Sequence, residues 1–565
     1  MMTKRPALLT LALWLIPLAF LAYFFYQPLV AIFKVVFSER FSQGWELFRW
    51  SQVSKPLGFT FFQAFLSTVL TLVVGLPAAW LFTRFDFPGR KTLRAISLLP
   101  FILPTVVVAA AFNTLIGPQG WINNQALMAV FDLSSPPLKL LNSLPAILLA
   151  HVFYNTSIII RIVSSAWSRL NPRLEQAARL MGATPWRSFT KITLPLLLPS
   201  LVSAALLVFL FDFTSFGVVL MLGGPQFNTI EVEIYNQAMN RFNLPVAGLL
   251  SVIQLVITLL VTLLQSRVNK PRYGKAAINP ERTALSRPTK KWQKVFVVFM
   301  AVSLMMLFAM PIISLVSRSF VTLDADRGQR GEVALGFTLR YYRELFQNRS
   351  GSIFYVPPVQ AIRNSLLYSG VTILISEMLG VLTAYAMAQR ASFNRFLEPL
   401  FMLPLGASAV TLGLGFLLVF NRPPWANSSF PLLIPIAHSL IALPFVVRTI
   451  LPAIRAIPET LREAARSLGA NPLQVLLKVD LPILLRSLLV SLVFAFTISL
   501  GEFGASSFLS NPQTPTIPVA IYRYISQPGA LNYGQALAMS SLLLFVCGLG
   551  SLLIEKIRLP GEELF

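Results

Sequence analysis

The segments NPRLEQAARLMGATPWRSFTKITLP (residues 171–195) and PETLREAARSLGANPLQVLLKVDLP (residues 458–482) repeat one pattern, and their first residues lie 287 positions apart (458 − 171). The shared positions are mostly small or apolar: Leu174, Ala177, Ala178, Gly182, Pro185, Leu194 and Pro195 align with Leu461, Ala464, Ala465, Gly469, Pro472, Leu481 and Pro482. Self-similarity at one fixed offset is the mark of a duplicated structural unit. The two segments therefore predict two equivalent halves in one chain.

The same offset extends beyond the two segments. The chain has two histidines, and His151 aligns with His438. The Phe-Gly pairs at 216–217 and 503–504 are aligned as well. Apolar segments match one another easily by chance, but a chance match rarely puts both histidines and paired glycines in register. The duplication therefore covers far more than the two polar segments.

Composition indicates a membrane protein. Of the 565 residues, 55% are hydrophobic and 12% are charged, whereas a soluble domain carries about 25% charged residues. A lipid-facing exterior explains how so apolar a chain can fold. The formal net charge is +24, but the basic residues lie in short clusters between apolar runs, as membrane topology signals do. We therefore expect the lipid bilayer, and no nucleic acid, as a partner. One cysteine and two histidines predict no metal site built from these ligands.

A membrane span needs about 20 mostly apolar residues. Twelve segments of the sequence meet this condition: 8–33, 58–83, 95–117, 144–166, 196–222, 246–267, 295–317, 362–388, 396–420, 431–453, 483–510 and 534–555. The first is too long and too aromatic for a cleaved signal peptide. With six spans per half, both halves have the same orientation, so the repeat is parallel. The predicted fold class is an all-α membrane protein, with about twelve transmembrane helices as two parallel six-helix repeats.

The distribution of lysine and arginine predicts the orientation. Segments 84–94 and 169–191 are rich in basic residues, whereas 118–143 and 223–245 carry one each. Because basic loops stay in the cytoplasm, we expect both termini to be cytoplasmic. The longest outside loop, near 318–361, departs from this pattern, although charge counts less in long loops. It carries Arg327, Arg330, Arg340, Arg343 and Arg349.

A basic, proline-containing stretch separates the halves. Residues 268–294 read VNKPRYGKAAINPERTALSRPTKKWQK. This composition is typical of a linker. The predicted division is a first half at 1–267, a cytoplasmic linker at 268–294 and a second half at 295–565.

Each repeated polar segment predicts a short amphipathic helix on the cytoplasmic side. Each begins with proline and an acidic residue, which suit a helix start, and alanine and leucine then recur at helical spacing. Gly182 and Gly469 either end these helices or permit close backbone approach. A small-residue face that is present in both halves predicts a docking surface. The alternatives are an interfacial helix that lies on lipid and a structural elbow.

These segments resemble the EAA loop of permeases from binding-protein-dependent ATP-binding-cassette importers. That loop has the pattern E-A-A, a glycine shortly after it, and then I-x-L-P. Glu463, Ala464, Ala465, Gly469, Leu481 and Pro482 match it. The first half departs slightly, because Gln176 aligns with Glu463 and the glutamate is the preceding Glu175. The resemblance implies an ATPase-coupling role for both loops, at Glu175, Ala177, Ala178, Gly182 and Pro195 and at Glu463, Ala464, Ala465, Gly469 and Pro482.

The same resemblance implies partners and a location. We expect two cytoplasmic ATPase subunits, an extracytoplasmic solute-binding protein and the bacterial inner membrane. No Walker-type motif is present in the sequence, so we expect ATP to be bound and hydrolysed by a separate chain, with no cofactor, catalytic residue or metal here. The fused layout resembles the thiamine and ferric-iron permeases, and AHVFYN, LGGPQFNTIEVEIY and SLGEFGASSF are most similar to the thiamine type. An ion-coupled secondary transporter with parallel repeats is the alternative.

Polar residues within the predicted spans are candidates for the solute pathway. An intramembrane carboxylate is costly unless it is paired or hydrated, so it marks a functional site by default. The pathway candidates are Asp212, Phe216, Gly217, Glu502, Phe503, Gly504, His151 and His438. The carboxylates would suit a cationic solute, or would serve only as hydrogen-bond acceptors for neighbouring helices. For the histidines we favour structural hydrogen bonds between helices over gating.

Overall fold

The structure is a computed structural model that describes residues 5–37, 49–118, 120–128, 131, 137–268, 285–324, 332–347, 358–389, 394–420, 432–512 and 514–557. Most of the predicted linker, at 269–284, lies outside the described residues. So do parts of the predicted outside loop, at 325–331 and 348–357.

The first half is a succession of helices. They are α1 (Arg5–Leu21), α2 (Gln27–Phe37), α3 (Ser51–Arg84), α4 (Arg90–Ile96), α5 (Leu99–Ile102), α6 (Thr105–Ile116), α7 (Leu144–Ser168), α8 (Pro172–Leu180), α9 (Pro185–Ser188), α10 (Leu194–Phe213), α11 (Gly217–Leu222), α12 (Ile230–Tyr235) and α13 (Leu244–Val268). Short π-helical turns join α1 to α2 at Ala22–Tyr26 and α9 to α10 at Phe189–Thr193.

The second half repeats this order. Its elements are α14 (Lys291–Arg318), a hairpin of β1 (Val321–Asp324) and β2 (Glu332–Phe337), α15 (Arg340–Glu344), α16 (Pro358–Ala388), α17 (Asn394–Met402), α18 (Ala409–Phe420), α19 (Leu433–Ala456), α20 (Glu459–Ser467), α21 (Pro472–Val475), α22 (Leu481–Gly501), α23 (Gly504–Leu509), α24 (Ile517–Ser526) and α25 (Ala530–Ile557). The antiparallel hairpin is the departure from an all-helical description, and it lies in the predicted outside loop.

The predicted all-α fold in two repeats is confirmed, although not every predicted span is one continuous helix. Ten helices in the described part of the chain are long and apolar enough to cross a membrane, and the count is eleven if a bent pair is one span. The exceptions are the third span of each half. The predicted span at 95–117 is bent by 113° between Ile102 and Thr105. The predicted span at 396–420 is interrupted by a 3₁₀ turn, Leu403–Gly406.

Proline explains these two interruptions. Pro104 and Pro404 have no amide hydrogen to donate, and a proline also disfavours helical torsions in the residue before it. Leu103, which precedes Pro104, is accordingly extended at φ −71° and ψ 137°. After Pro404 the chain is also extended, at Ala407.

The predicted spans at 196–222 and 483–510 are also broken near their ends. Helix α10 ends at Phe213 and α11 begins at Gly217. In the second half α22 ends at Gly501 and α23 begins at Gly504. All four interruptions leave backbone groups free of their usual helical partners, which a membrane protein tolerates only where protein or water surrounds them.

Within each half, the second and fourth spans pack along their lengths. Helix α3 lies against α7, and α16 lies against α19. A glycine allows each close approach: a Cβ added to Gly75 would lie 2.6 Å from Ile159 Cγ2, and one added to Gly380 would collide with Val446. Ile159 and Val446 are themselves aligned by the 287-residue offset (446 − 159). The same packing solution is therefore used twice.

The two halves interlock through their first spans. Helix α14 packs against α6 of the first half, and α2 packs against α18 of the second. Thr114 Oγ1 and Ser314 Oγ are 2.9 Å apart across one of these contacts. On the other side, Trp14 Nε1 donates to Asn394 Oδ1 at 3.0 Å. Each half thus covers the broken third span of its neighbour.

Candidate functional site

The helix breaks meet at the seam between the halves. Helix α6 packs against α11 in the first half, and α18 packs against α23 in the second. Each pair meets at one of the predicted glycines. A Cβ added to Gly217 would collide with Thr105 Oγ1, and a Cβ added to Gly504 would lie 2.8 Å from Ala409 Cβ. Only glycine fits these two positions without a shift of the facing helix.

In the first half, the break between α10 and α11 surrounds His151. The ring Nε2 of His151 is 2.8 Å from Ser215 Oγ, and Nδ1 is 3.4 Å from Asp212 Oδ1. Asn155 Nδ2 donates to the same Asp212 oxygen at 2.6 Å. Gln63 Nε2 donates to the Asp212 backbone carbonyl at 2.7 Å, so a carbonyl near the end of α10 is satisfied by a side chain from α3.

In the second half, the equivalent break surrounds His438. Its Nδ1 is 2.9 Å from Ser499 Oγ, and its Nε2 is 2.9 Å from Ser506 Oγ. Glu502 Oε2 lies 3.1 Å from the same Nε2. The Glu502 carboxylate also accepts the backbone amides of Ala505 at 2.9 Å and Ser506 at 3.0 Å. It therefore satisfies amide donors in the first turn of α23, which is what a helix start requires.

The two histidine sites carry the same groups in exchanged positions. By the 287-residue offset, Asp212 aligns with Ser499 (212 + 287), and Ser215 aligns with Glu502 (215 + 287). Each histidine therefore faces one carboxylate and at least one serine, but the carboxylate precedes the break in the first half and lies within it in the second. The expectation that the histidines bond across helices agrees with these contacts.

Two aromatic rings meet across the seam. Phe216 and Phe503, which are aligned by the repeat, stack with ring centroids 5.3 Å apart and planes 22° apart. Tyr235 packs on Phe216 with centroids 5.4 Å apart, and its counterpart Tyr522 packs on Phe503 at the same distance. The stacked pair lies where the two halves face each other, so separation of the halves must separate these rings.

A cavity of about 380 Å³ lies at the seam beside this stack. Seven of the eight predicted pathway residues line it: His151, Asp212, Phe216, Gly217, Glu502, Phe503 and Gly504. The eighth, His438, contacts Glu502. The structure therefore brings the predicted pathway residues together in one place.

One buried acid of this cavity escaped the sequence analysis. Glu231 is 0% exposed and lines the cavity, although it belongs to α12 in a predicted outside segment. Gln254 Nε2 of α13 donates to its Oε1. The sequence did hold a signal, because Glu231 aligns with Pro518 (231 + 287) and so departs from the repeat.

The predicted coupling loops form a second site, at the ends of α7 and α19. Helices α8 and α20 have no buried residue. Gly182 and Gly469 follow them with φ of +86° and +87°, a region that favours glycine. Their amides donate to the carbonyls of Arg179 and Arg466. Nothing lies within 4 Å of a Cβ added at either glycine. Each glycine therefore serves to end its helix.

The surfaces of these loops are open and partly apolar. Glu463, Ala464, Ala177 and both prolines at the following helix starts, Pro195 and Pro482, are exposed, whereas Ala178, Ala465 and Glu175 are half-buried. Met181 and its counterpart Leu468 are each 89% exposed. Exposed methionine and leucine at aligned positions suit a surface that a partner covers.

The two loops differ in their contacts with the membrane helices. Arg462 Nε donates to Asp480 Oδ1 at 2.9 Å, and Tyr385 OH donates to Asp480 Oδ2 at 3.1 Å. Burial lowers the pKa of the Arg462 guanidinium, but its bonds to Asp480 and Glu459 raise that pKa by more, so it lies above the usual arginine value. These contacts tie α20 to α16 and to the start of α22.

The first half lacks this arrangement at the aligned positions. Glu175 stands where the second half has Arg462 (175 + 287), and Thr193 stands where it has Asp480 (193 + 287). Glu175 instead accepts from Arg179 Nη2, four residues on in the same helix, at 2.5 Å. Because both residues belong to α8, this bond does not connect α8 to the membrane helices.

The repeated halves, the long apolar helices and the cavity between the halves define a multi-pass membrane transport protein. The chain belongs to the family described as "Binding-protein-dependent transport system inner membrane component", whose model matches residues 71–271 and 378–558. It is the permease subunit of an ABC importer, with two permease halves fused in one polypeptide.

Two relatives of known name, ThiP and CysT, support this assignment. The chain is 28% identical to the thiamine transport system permease protein ThiP of Salmonella typhimurium, over 97% of both chains. It is 31% identical to the sulfate transport system permease protein CysT of Escherichia coli, over 44% of this chain and 89% of that one. A chain in the crystal structure of a bacterial ABC transporter involved in the import of the acidic polysaccharide alginate matches at 22% identity and a TM-score of 0.41, covering 47% of this chain and 98% of that chain.

Proposed function

We propose that this permease couples to two cytoplasmic ATPase subunits through α8 and α20, one per half. The observation that carries the proposal is the exposure, at aligned positions, of Met181 and Leu468 beside helices without a buried face. Each helix ends at a glycine and is followed by a capped turn: Thr184 accepts from Arg187 N, and Asn471 accepts from Gln474 N. Two loops of the same shape suit two copies of one partner.

The seam between the halves is the proposed solute pathway. An external binding protein delivers solute to the outer face, and closure of the ATP-loaded partners draws α8 and α20 together. The halves then rock about the stacked Phe216 and Phe503, which opens and closes the cavity. ATP is bound and hydrolysed by the partner ATPases, with no catalytic residue or cofactor in this chain. Both termini lie on the cytoplasmic side, where the basic segments predict them.

Thiamine is the solute that we propose. The support is the likeness to the ThiP protein of Salmonella typhimurium over 97% of both chains. A second ThiP protein, from Escherichia coli, is 28% identical over 89% of both chains. The sequence analysis set thiamine beside ferric iron, and these full-length relatives favour thiamine.

Cysteine cross-linking tests the docking surface directly. The sequence has one cysteine, Cys547, and it is buried. A cysteine introduced on the surface is therefore the thiol that reacts with the cross-linker. We expect Met181→Cys and Leu468→Cys to cross-link to the ATPase subunit in assembled transporter. Phe242→Cys is the matched control, because Phe242 is 81% exposed but lies in a predicted outside segment.

The docking proposal and the solute proposal can fail independently of each other. Cross-links from Phe242→Cys as strong as those from Leu468→Cys, or none from either loop, would contradict the docking proposal. Uptake of labelled thiamine into proteoliposomes that contain permease, ATPase and binding protein tests the solute independently. ATP hydrolysis stimulated by the binding protein without thiamine uptake would reject thiamine and leave the coupling proposal standing.

A further inference from the structure

The three carboxylates of the seam cavity are not equally engaged. Asp212 and Glu502 each lie beside a histidine. Glu231 has no basic partner among the described residues. It is fully buried, its Oε1 accepts from Gln254, and its Oε2 has no hydrogen-bond partner in the described part of the chain. Ser408 of the second half lies beside the carboxylate.

A free carboxylate oxygen in a buried place is costly. A carboxylate taken out of water without a full set of partners loses several kcal/mol, and such groups are normally paired or bound to a ligand. The neighbouring Glu233 shows the usual solution, because it is bonded to Gln237 at 2.7 Å and to Arg241 at 3.1 Å. Asp212 Oδ2 in the same cavity also has no hydrogen-bond partner among the described residues, but Asp212 lies beside His151. Glu231 is therefore the acid of the cavity without a basic partner in the described part of the chain.

The surroundings favour an organic cation as that partner. No lysine or arginine is among the described residues that line the cavity. Six aromatic side chains do line it: Phe101, Tyr154, Phe211, Phe216, Phe445 and Phe503. Aromatic faces attract quaternary and delocalised cations, whereas a hard metal cation takes about six or more oxygen ligands. The volume of about 380 Å³ suits a small organic molecule.

The feature belongs to one half only. Glu231 aligns with Pro518 (231 + 287), and Gln254 aligns with Ser541 (254 + 287). Both the acid and the amide that orients it are thus departures from the repeat. A duplicated scaffold gives a nearly symmetric pathway, whereas a solute with its charge at one place needs a recognition group on one side.

We propose that Glu231 is a cation-recognition residue of the pathway, whose free Oε2 receives the positively charged group of a small organic cation in the seam cavity. This inference rests on the proposed role of the seam as the solute pathway. Gln254 already holds Oε1, and Oε2 is the oxygen that is open to the solute, with Ser408 beside the carboxylate. The carboxylate thereby recognises the cation at the centre of the permease, downstream of the binding protein.

The test uses full-length permease assembled with its ATPase and binding protein in proteoliposomes, and labelled thiamine as the probe. Glu231→Gln keeps the size of the side chain and removes its charge. We expect thiamine uptake to fall about tenfold or more, the factor that corresponds to about 1.4 kcal/mol. ATPase activity stimulated by the binding protein should stay within about twofold of wild type, because the coupling loops are intact.

Two further variants control for charge and folding. Glu231→Asp keeps the charge and should retain more uptake than Glu231→Gln. Glu233→Gln removes a second buried charge from the same helix, outside the cavity lining, and should reduce uptake much less. Uptake by Glu231→Gln equal to that of wild type would overturn the proposal while thiamine import stands.

A different result separates this proposal from the solute assignment. If wild type imports no thiamine although its ATPase is stimulated, the solute assignment fails. The cation site is then tested separately, by measuring whether a cation raises the melting temperature of the permease. The probe is then tetramethylammonium chloride, compared with sodium chloride at equal ionic strength. A rise in melting temperature that wild type shows and Glu231→Gln loses would support the site. No rise in wild type would overturn it.

Discussion

The contact between α20 and the membrane helices offers the sharpest prediction on coupling. Asp480 lies just before α22 and accepts from both Arg462 and Tyr385. Its side chain is 6% exposed, and that of Arg462 is 16% exposed. We predict that Asp480→Asn, which keeps the shape and removes the charge, loosens α20 from α16 and α22.

The magnitude follows from the partners that remain. Breaking a fully buried ion pair costs about 3–5 kcal/mol because it strands a charge. Here Arg462 keeps Glu459 at 3.2 Å, so it is not left unpaired. The loss is then that of a hydrogen bond to a charged group, about 2 kcal/mol. A free energy of this size changes the equilibrium ratio of docked to detached α20 roughly thirtyfold.

The assay is the number of ATP molecules hydrolysed per solute imported by the reconstituted transporter. We expect this ratio to rise in Asp480→Asn, because movement of the ATPase is no longer passed fully to the membrane helices. Lys139→Gln is the control, since it removes an exposed charge from a predicted outside segment, away from both loops. Wild-type coupling in Asp480→Asn, or equal uncoupling in Lys139→Gln, would refute the reasoning.

Two predictions concern packing. Gly75→Ala should lower the melting temperature, because its methyl group would lie 2.6 Å from Ile159. The expected loss of unfolding free energy is about 1–3 kcal/mol. Gly58→Ala, in the same helix but with open space around the added methyl group, is the control and should be neutral or stabilising. For the rings of Phe216 and Phe503, a double-mutant cycle to alanine should give a coupling energy of about 0.5–1.5 kcal/mol, and the double variant should release preloaded thiamine without ATP. Additive losses and a tight seam in the double variant would contradict the proposed role of the stack.

The sequence was sufficient for the architecture because the fold depends on features that are local in the chain. Apolar run length predicts a span, and the repeat predicts two halves. Helices α8 and α20 were predictable for the same reason, since proline, alanine and glycine at fixed spacing specify where they begin and end. Span continuity was less predictable. Whether Pro104 bends a helix by 113° or merely kinks it depends on which neighbours surround the freed carbonyls.

Some features of the seam could be predicted from the sequence, and others could not. The offset of 287 residues predicted that His151 and His438 are equivalent, but it gave no reason to compare Asp212 with Ser499 and Ser215 with Glu502 as an exchanged pair. The exchange becomes visible only when both residues of each pair are seen to face the same ring. Interlocking of the first spans was likewise invisible, because α14 contacts α6 across a sequence separation that no local pattern records.

The sequence by itself determined a duplicated helical membrane protein with two loops of one design, because hydrophobic length and helix-ending residues act over short stretches of chain. Only the tertiary structure decided which polar groups share the seam cavity. It placed Glu231 there from a segment that the sequence assigned to an outside loop, and it left one oxygen of that carboxylate without a partner. The physical reason is that burial and pairing are properties of the surroundings, and those surroundings come from helices far apart in the chain.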